Sequence, residues 1–120
     1  MDYTVRLSAT TKYIETLVRS PVTKDLALQS QTDANELATQ HDLERFLVDV
    51  RNVSPQTGTL GDVEVATELP QTGLPSDARI AVLASTNDNQ HGFIETTSQN
   101  RGVMLRVFKD EDAAVAWLLE

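Results

Sequence analysis

Three short apolar runs dominate the chain: Arg45–Val50, Arg79–Ala84 and Val103–Phe108, each six residues long and nearly continuous in apolar side chains. Such a run reads as a strand covered on both faces. The segments between them carry helix caps and helical spacing. Strands separated by helices imply parallel pairing through right-handed crossovers.

The N-terminal part has a different period. Tyr3 to Leu7 alternates apolar and polar residues, the mark of a half-buried strand. Ala9 to Lys12 is a polar turn, and Tyr13 to Arg19 is rich in β-branched and aromatic residues. Two such runs around a short turn predict an antiparallel hairpin, ended by Pro21.

Thr23 is placed to cap a helix running to about Gln40, with Asp25 in the first turn. Leu26, Ala27, Ala34, Leu37 and Ala38 give its broken apolar stripe, weakest at Gln29 to Gln31, and His41-Asp42 closes it. Ser54 to Gly58 is a loop. Thr59 opens a second helix with capping-box spacing to Asp62, ended by Pro70 and Gly73. A third helix starts within Ser85–Asp88 and runs to about Asn100, where Arg101-Gly102 breaks it. The last opens at Asp110-Glu111-Asp112, acids against its N-terminal dipole, with Ala114, Trp117 and Leu118 as its core face. The expected order is ββαβαβαβα. This is an α/β fold, one domain over residues 1–120, with a mixed five-stranded sheet and about four helices.

Composition narrows the function classes. The 120 residues are 40% hydrophobic and include no Cys, which excludes disulfides, thiolate catalysis and Cys-ligated zinc. No apolar run approaches the ~20 residues of a membrane helix. The opening MDYTVRLS lacks an apolar h-region, so no signal peptide is expected, and the expected compartment is the cytoplasm. Eighteen acids against ten bases give a net charge of −8. An acidic surface makes nucleic acid and anionic membranes poor partners. The bases are scattered along the sequence without an adjacent pair.

Catalytic signals are few. No HExxH, GxSxG or GxxxxGK[ST] motif occurs, and the two histidines, His41 and His91, both lie near helix ends. Asp110-Glu111-Asp112 is accounted for by cap and dipole, so no metal or cofactor is expected. One constellation carries more. Ligands of parallel α/β sheets bind outside the carboxyl ends of strands. Those ends here hold Asp49, Arg51 and Asn52, then Ser85, Thr86 and Asn87, then Lys109 and Asp110. Arg51 and Lys109 could hold an anion that also sees a helix N-terminus. Caps and turn formers have the same composition.

Several stretches form a family pattern. Phe93 to Gly102, Leu105-Arg106-Val107-Phe108-Lys109-Asp110 and Ala114-Val115-Ala116-Trp117-Leu118 follow the order "FE…NRG", "RVFRD", "A-x-x-WL". Leu47-Val48-Asp49-Val50-Arg51-Asn52 matches "LxDxRN", and Arg79 to Leu83 matches a further strand. On these motifs the chain resembles the SpoIIAA-like proteins of the STAS/SEC14-like superfamily. The resemblance implies a mixed sheet with helices packed mainly on one side. In the family's anti-sigma antagonists a Ser of a "DSSG" motif starts the second helix. A partner kinase phosphorylates it, and the added charge breaks binding. The corresponding region here reads Ser54 to Gly61 without the Asp-Ser-Ser pattern; Thr59 stands at the acceptor position, with Thr57 the next choice. The SEC14 side of the family implies a lipid-like ligand.

The reading taken from the sequence is a non-catalytic bacterial domain with a regulatory or protein-binding role, with a homodimer expected through the Tyr3–Leu7 strand or an exposed helix face. A binder of a small anionic or lipid-like ligand at the strand ends is the second reading. An anti-sigma-factor antagonist phosphorylated near Thr59 is the third. An enzyme using Asp49 and His91 is the least favoured.

Overall fold

The computed structural model describes residues 3–20, 23–51, 68–75, 77–84 and 103–120. The hairpin is formed by β1 (Tyr3–Leu7) and β2 (Ile14–Val18), paired antiparallel from Tyr3↔Val18 to Leu7↔Ile14. Its turn closes on Ser8, whose N–H donates to the Tyr13 carbonyl at 2.9 Å. The Ser8 hydroxyl accepts from the Lys12 and Tyr13 amides, and Thr11 takes the left-handed conformation at φ 59°. These bonds explain why a serine can be buried at the hairpin end.

Helix α1 (Lys24–His41) follows, capped by Thr23, whose side chain accepts the Leu26 amide at 3.2 Å. It ends one residue later than the sequence predicts. His41 is its last helical residue, and Asp42 takes the left-handed cap position at φ 56°. The Leu43 amide then closes on the Ala38 carbonyl at 2.9 Å.

Strands β3 (Arg45–Asp49), β4 (Arg79–Leu83) and β5 (Met104–Phe108) complete a five-stranded sheet ordered β1-β2-β3-β4-β5, every pair after the hairpin being parallel. Backbone bonds carry the pairing to Val50 and Ala84, which donate to the Leu83 and Phe108 carbonyls. A 3-10 turn at Leu69–Thr72 ends on Gly73, whose φ of 96° suits a residue without Cβ. The last element is α2 (Glu111–Leu118), with the Asp110 carboxylate accepting the Ala113 amide at 3.1 Å.

Alternation along the strands sends neighbouring residues to opposite faces. Ile14, Phe46, Ile80, Val82 and Leu105 point to one face and pack with Ala34 and Ala38 of α1. Leu47, Ala81 and Leu83 point to the other and pack with Ala114, Trp117 and Leu118 of α2. The two described helices therefore take opposite sides of the sheet, which explains why the parallel strands are apolar in both phases. The helices expected from Thr59 and from Ser85–Asp88 lie outside the described residues.

The buried face of α1 departs from its apolar stripe. Ser30, Gln31 and Asn35 are buried beside Ala34 and Ala38. Each side chain has a hydrogen-bond partner: the Gln31 amide donates to Asn35 Oδ1 at 2.8 Å, Asn35 Nδ2 donates to Thr72 Oγ1 at 2.9 Å, and the Ser30 hydroxyl donates to the Ala27 carbonyl. A buried amide with partners loses little of its hydrogen bonding on leaving water. The network ties α1 to the 3-10 turn. Among the described residues no helix is long and apolar enough to cross a membrane.

Candidate functional site

Helix α2 covers β3 to β5, and among the described residues no helix packs on the same face of β1 and β2. At the boundary lies a 120 Å³ cleft. Its floor is Glu15, Leu17, Leu47 and Asp49, which alternation and register bring together on adjacent strands. Arg51 and Glu111 form one wall and Arg6 the other.

The charges in this cleft close on one another. Arg51 sits two residues beyond Asp49, and its backbone N–H donates to Asp49 Oδ1 at 3.0 Å. Its guanidinium then returns as a fork, with Nε to Oδ1 at 3.1 Å and a terminal nitrogen to Oδ2 at 2.8 Å. The same nitrogen reaches Glu111 Oε1 at 3.3 Å. Asp49 is 8% exposed, so this pairing is what allows a carboxylate at the end of a central strand. The hydrogen bond to Asp49 pushes the Arg51 guanidinium above its already high usual range, against a smaller desolvation effect. Across the cleft Arg6 Nε pairs with Glu15 Oε2 at 3.0 Å, a directly opposed cross-strand pair. Tyr13, buried under α2, has its phenol pushed up by burial first and then by the Glu15 and Glu111 charges.

Among the described residues three carboxylates face two guanidiniums here, an excess of one negative charge. The nearby helix N-terminus is also taken, because Asp110 fills the amide position that an anion would use. An anion entering beside Arg51 must displace Asp49 and approach Glu111.

Of the residues singled out in the sequence, Asp49 and Arg51 are brought into contact. Lys109 is exposed just past β5; the register Asp49↔Leu83↔Phe108 puts it two strands, roughly 10 Å, from Asp49. His41 is exposed at the far end of α1. Asn52, Thr57, Thr59, Ser85, Asn87 and His91 lie outside the described residues. Sequence reading missed Arg6, Glu15 and Glu111 as members of the cluster. The alternation Arg6/Glu15 across a hairpin was available as a signal; the approach of Glu111, sixty positions from Arg51, was not.

Three further arginines of this face, Arg45, Arg79 and Arg106, hold α2. Arg45 Nε donates to the Leu118 carbonyl and an Arg79 terminal nitrogen to the Trp117 carbonyl, both at 2.8 Å. Arg79 and Arg106 also lie over the Trp117 ring, at 5.4 and 5.8 Å from its centroid. These cations meet the negative end of the helix dipole, so their clustering has a structural cause. Among the described residues no group of three or more His, Asp or Glu is placed to hold a metal ion. Comparison with protein-family models, with curated proteins and with solved structures finds no match to this chain.

Proposed function

We propose that the chain is a SpoIIAA-like, STAS/SEC14-like domain with a non-catalytic regulatory role, exerted by binding another protein in the bacterial cytoplasm. The motif order from Phe93 to Leu118 supports the family reading, together with an N-terminal hairpin joined to three parallel strands. The observation that carries the functional reading is the Arg51 fork on Asp49. Both guanidiniums of the strand-end cleft are already paired with its carboxylates, so its charges serve the fold. Binding a small anion there would cost an ion pair that holds a buried carboxylate.

The test is cross-linking in the native cells followed by mass spectrometry, with thermal shifts of the purified chain against phosphate and a medium-chain fatty acid. One defined protein cross-link and no ligand-induced shift are expected. A saturable shift lost in Arg51→Gln moves the ligand-binding reading to first place. Stoichiometric phosphate at Thr59 or Thr57 moves the anti-sigma-antagonist reading there instead. A cross-link only to a second copy of the chain makes the expected homodimer the functional unit.

A further inference from the structure

The outer side of β1 carries a feature that the charged cleft does not explain. A cleft of about 630 Å³ runs between this edge strand and α1, lined by Tyr3, Val5, Asp33, Glu36 and Leu37 among others. That volume is within the ~300–1,000 Å³ typical of binding clefts. Among the described residues β1 is the sheet edge, with β2 as its strand partner, and the five pairs run without a bulge. Natural edge strands are blunted by Lys, Pro, bulges or a covering element. β1 contains neither Lys nor Pro, and its charged Arg6 faces the opposite side, paired with Glu15. Helix α1 packs on the face of the hairpin, and among the described residues no further strand pairs with the outer flank at Val5 and Leu7.

The chemistry of the cleft is also one-sided. Asp33 and Glu36 stand on its helical wall, and among the described residues no basic side chain lines it. Tyr3 donates its hydroxyl to Asp33, and Gln29 donates to the other oxygen at 3.2 Å, which fixes the Asp33 carboxylate in place. Glu36 is exposed one helical turn along. Apolar surface between the carboxylates comes from Val5 and Leu37.

We propose that β1 takes up an extended segment of another protein by strand addition, extending the sheet to a sixth strand, with apolar and basic residues alternating on the side that faces α1. This rests on the protein-binding reading and names its partner's chemistry. Main-chain bonds to β1 supply affinity, and alternate side chains supply selectivity. Apolar groups fall beside Val5 and Leu37, and Lys or Arg groups reach Glu36 and Asp33. A second copy fits poorly. An antiparallel β1–β1 seam keeps like faces on the same side, so each α1 would turn Asp33 and Glu36 toward its counterpart, between chains of net charge −8.

The test uses fluorescence anisotropy of the purified chain with a labelled probe peptide, Val-Thr-Lys-Thr-Val-Thr-Lys. It places Val and Lys alternately on one face. Saturable binding is expected, weakened at least ten-fold by Glu36→Lys and by changing both probe lysines to Glu. Backbone N-methylation of the Thr set or of the Val/Lys set removes donors facing opposite ways, so one set abolishes binding and the other leaves it. Glu36 is exposed, so the variant keeps the native melting temperature. No binding, equal binding to Glu36→Lys, or equal loss with both methylated sets overturns strand addition at β1. Light scattering that shows a dimer dissociated by the probe assigns the edge to a second copy and overturns the proposal too. Native cross-links that persist in Glu36→Lys while the probe fails would sink the edge and leave the protein-binding reading standing; absent cross-links sink that reading alone.

Discussion

Helix α1 runs for eighteen residues and turns Ser30, Gln31 and Asn35 into the core, whereas α2 runs for eight and buries Ala114, Trp117 and Leu118. The longer helix approaches the sheet through small residues, with Ala34 and Ala38 fully covered, and closes its polar gaps with an amide chain to Thr72. The shorter one is about two turns long, well below the ~12–15 residues at which isolated helices become marginal. One large ring and cations at its C-terminal end hold it. Phe108 meets Trp117 with ring centroids 5.7 Å apart, and Arg79 and Arg45 close on the last carbonyls. The same sheet thus anchors one helix by many small matched contacts and the other by a few large ones. Single substitutions should be felt unequally on the two faces.

Trp117→Ala is the harshest way to break this contrast. It removes the largest side chain of its face and the platform for two arginines. A loss of ~3–5 kcal/mol is expected in denaturant unfolding, against a usual total of ~5–15 kcal/mol. Native Trp fluorescence should be blue-shifted and shielded from quencher, and a red-shifted, readily quenched signal would contradict the burial described.

On the other face, Asn35→Leu strips the buried Gln31 amide of its acceptor, and ~1–3 kcal/mol should be lost. Adding Gln31→Leu removes the orphaned group and should restore part of the stability. A double variant no better than the single one would show that the network contributes through shape alone. Arg79→Met tests the clamp on α2. Its carbonyl bond and its ring contact are both lost, at about 1–2 kcal/mol. Hydrogen exchange should quicken at residues 111–118 first, because the lesion is confined to that helix.

The smallest effect is alkaline. Burial, then Glu15 and Glu111, raise the Tyr13 phenol above its ordinary value near 10. The folded state therefore holds this proton longer than the unfolded chain does. Stability from Tyr13 is fully present below ~pH 10 and falls as pH rises through the folded value. Unfolding curves above pH 10 should show a shallower decline for Tyr13→Phe than for the parent.

All five strands were legible because their signal is local: alternation for β1, and apolar runs for β3 to β5. The caps Thr23 and Asp110 were legible for the same reason. The buried face of α1 was not, because Asn35 is made acceptable by Thr72, thirty-seven residues away. The arginines looked scattered for a related cause. Arg45 and Arg79 are register partners on adjacent parallel strands, a neighbourhood that exists only once the sheet has formed. The candidate site was half legible. Asp49 and Arg51 are near in sequence, and their proximity suggested a binding pair; in the fold they bind each other, and Glu111 joins them from the far end of the chain.

The position of α2 also has a temporal side. Synthesis proceeds from the N-terminus, and the strand order follows the chain, so each strand can join the one already made. Leu47, Ala81 and Leu83 then wait for residues 111–118, their described apolar cover. Until that segment has left the ribosome these three side chains lack that cover, and exposed aliphatic surface of this kind is what chaperones hold. Among the described elements the burial of Leu47, Ala81 and Leu83 is therefore a late event, in which two helical turns convert a sticky patch into packed core.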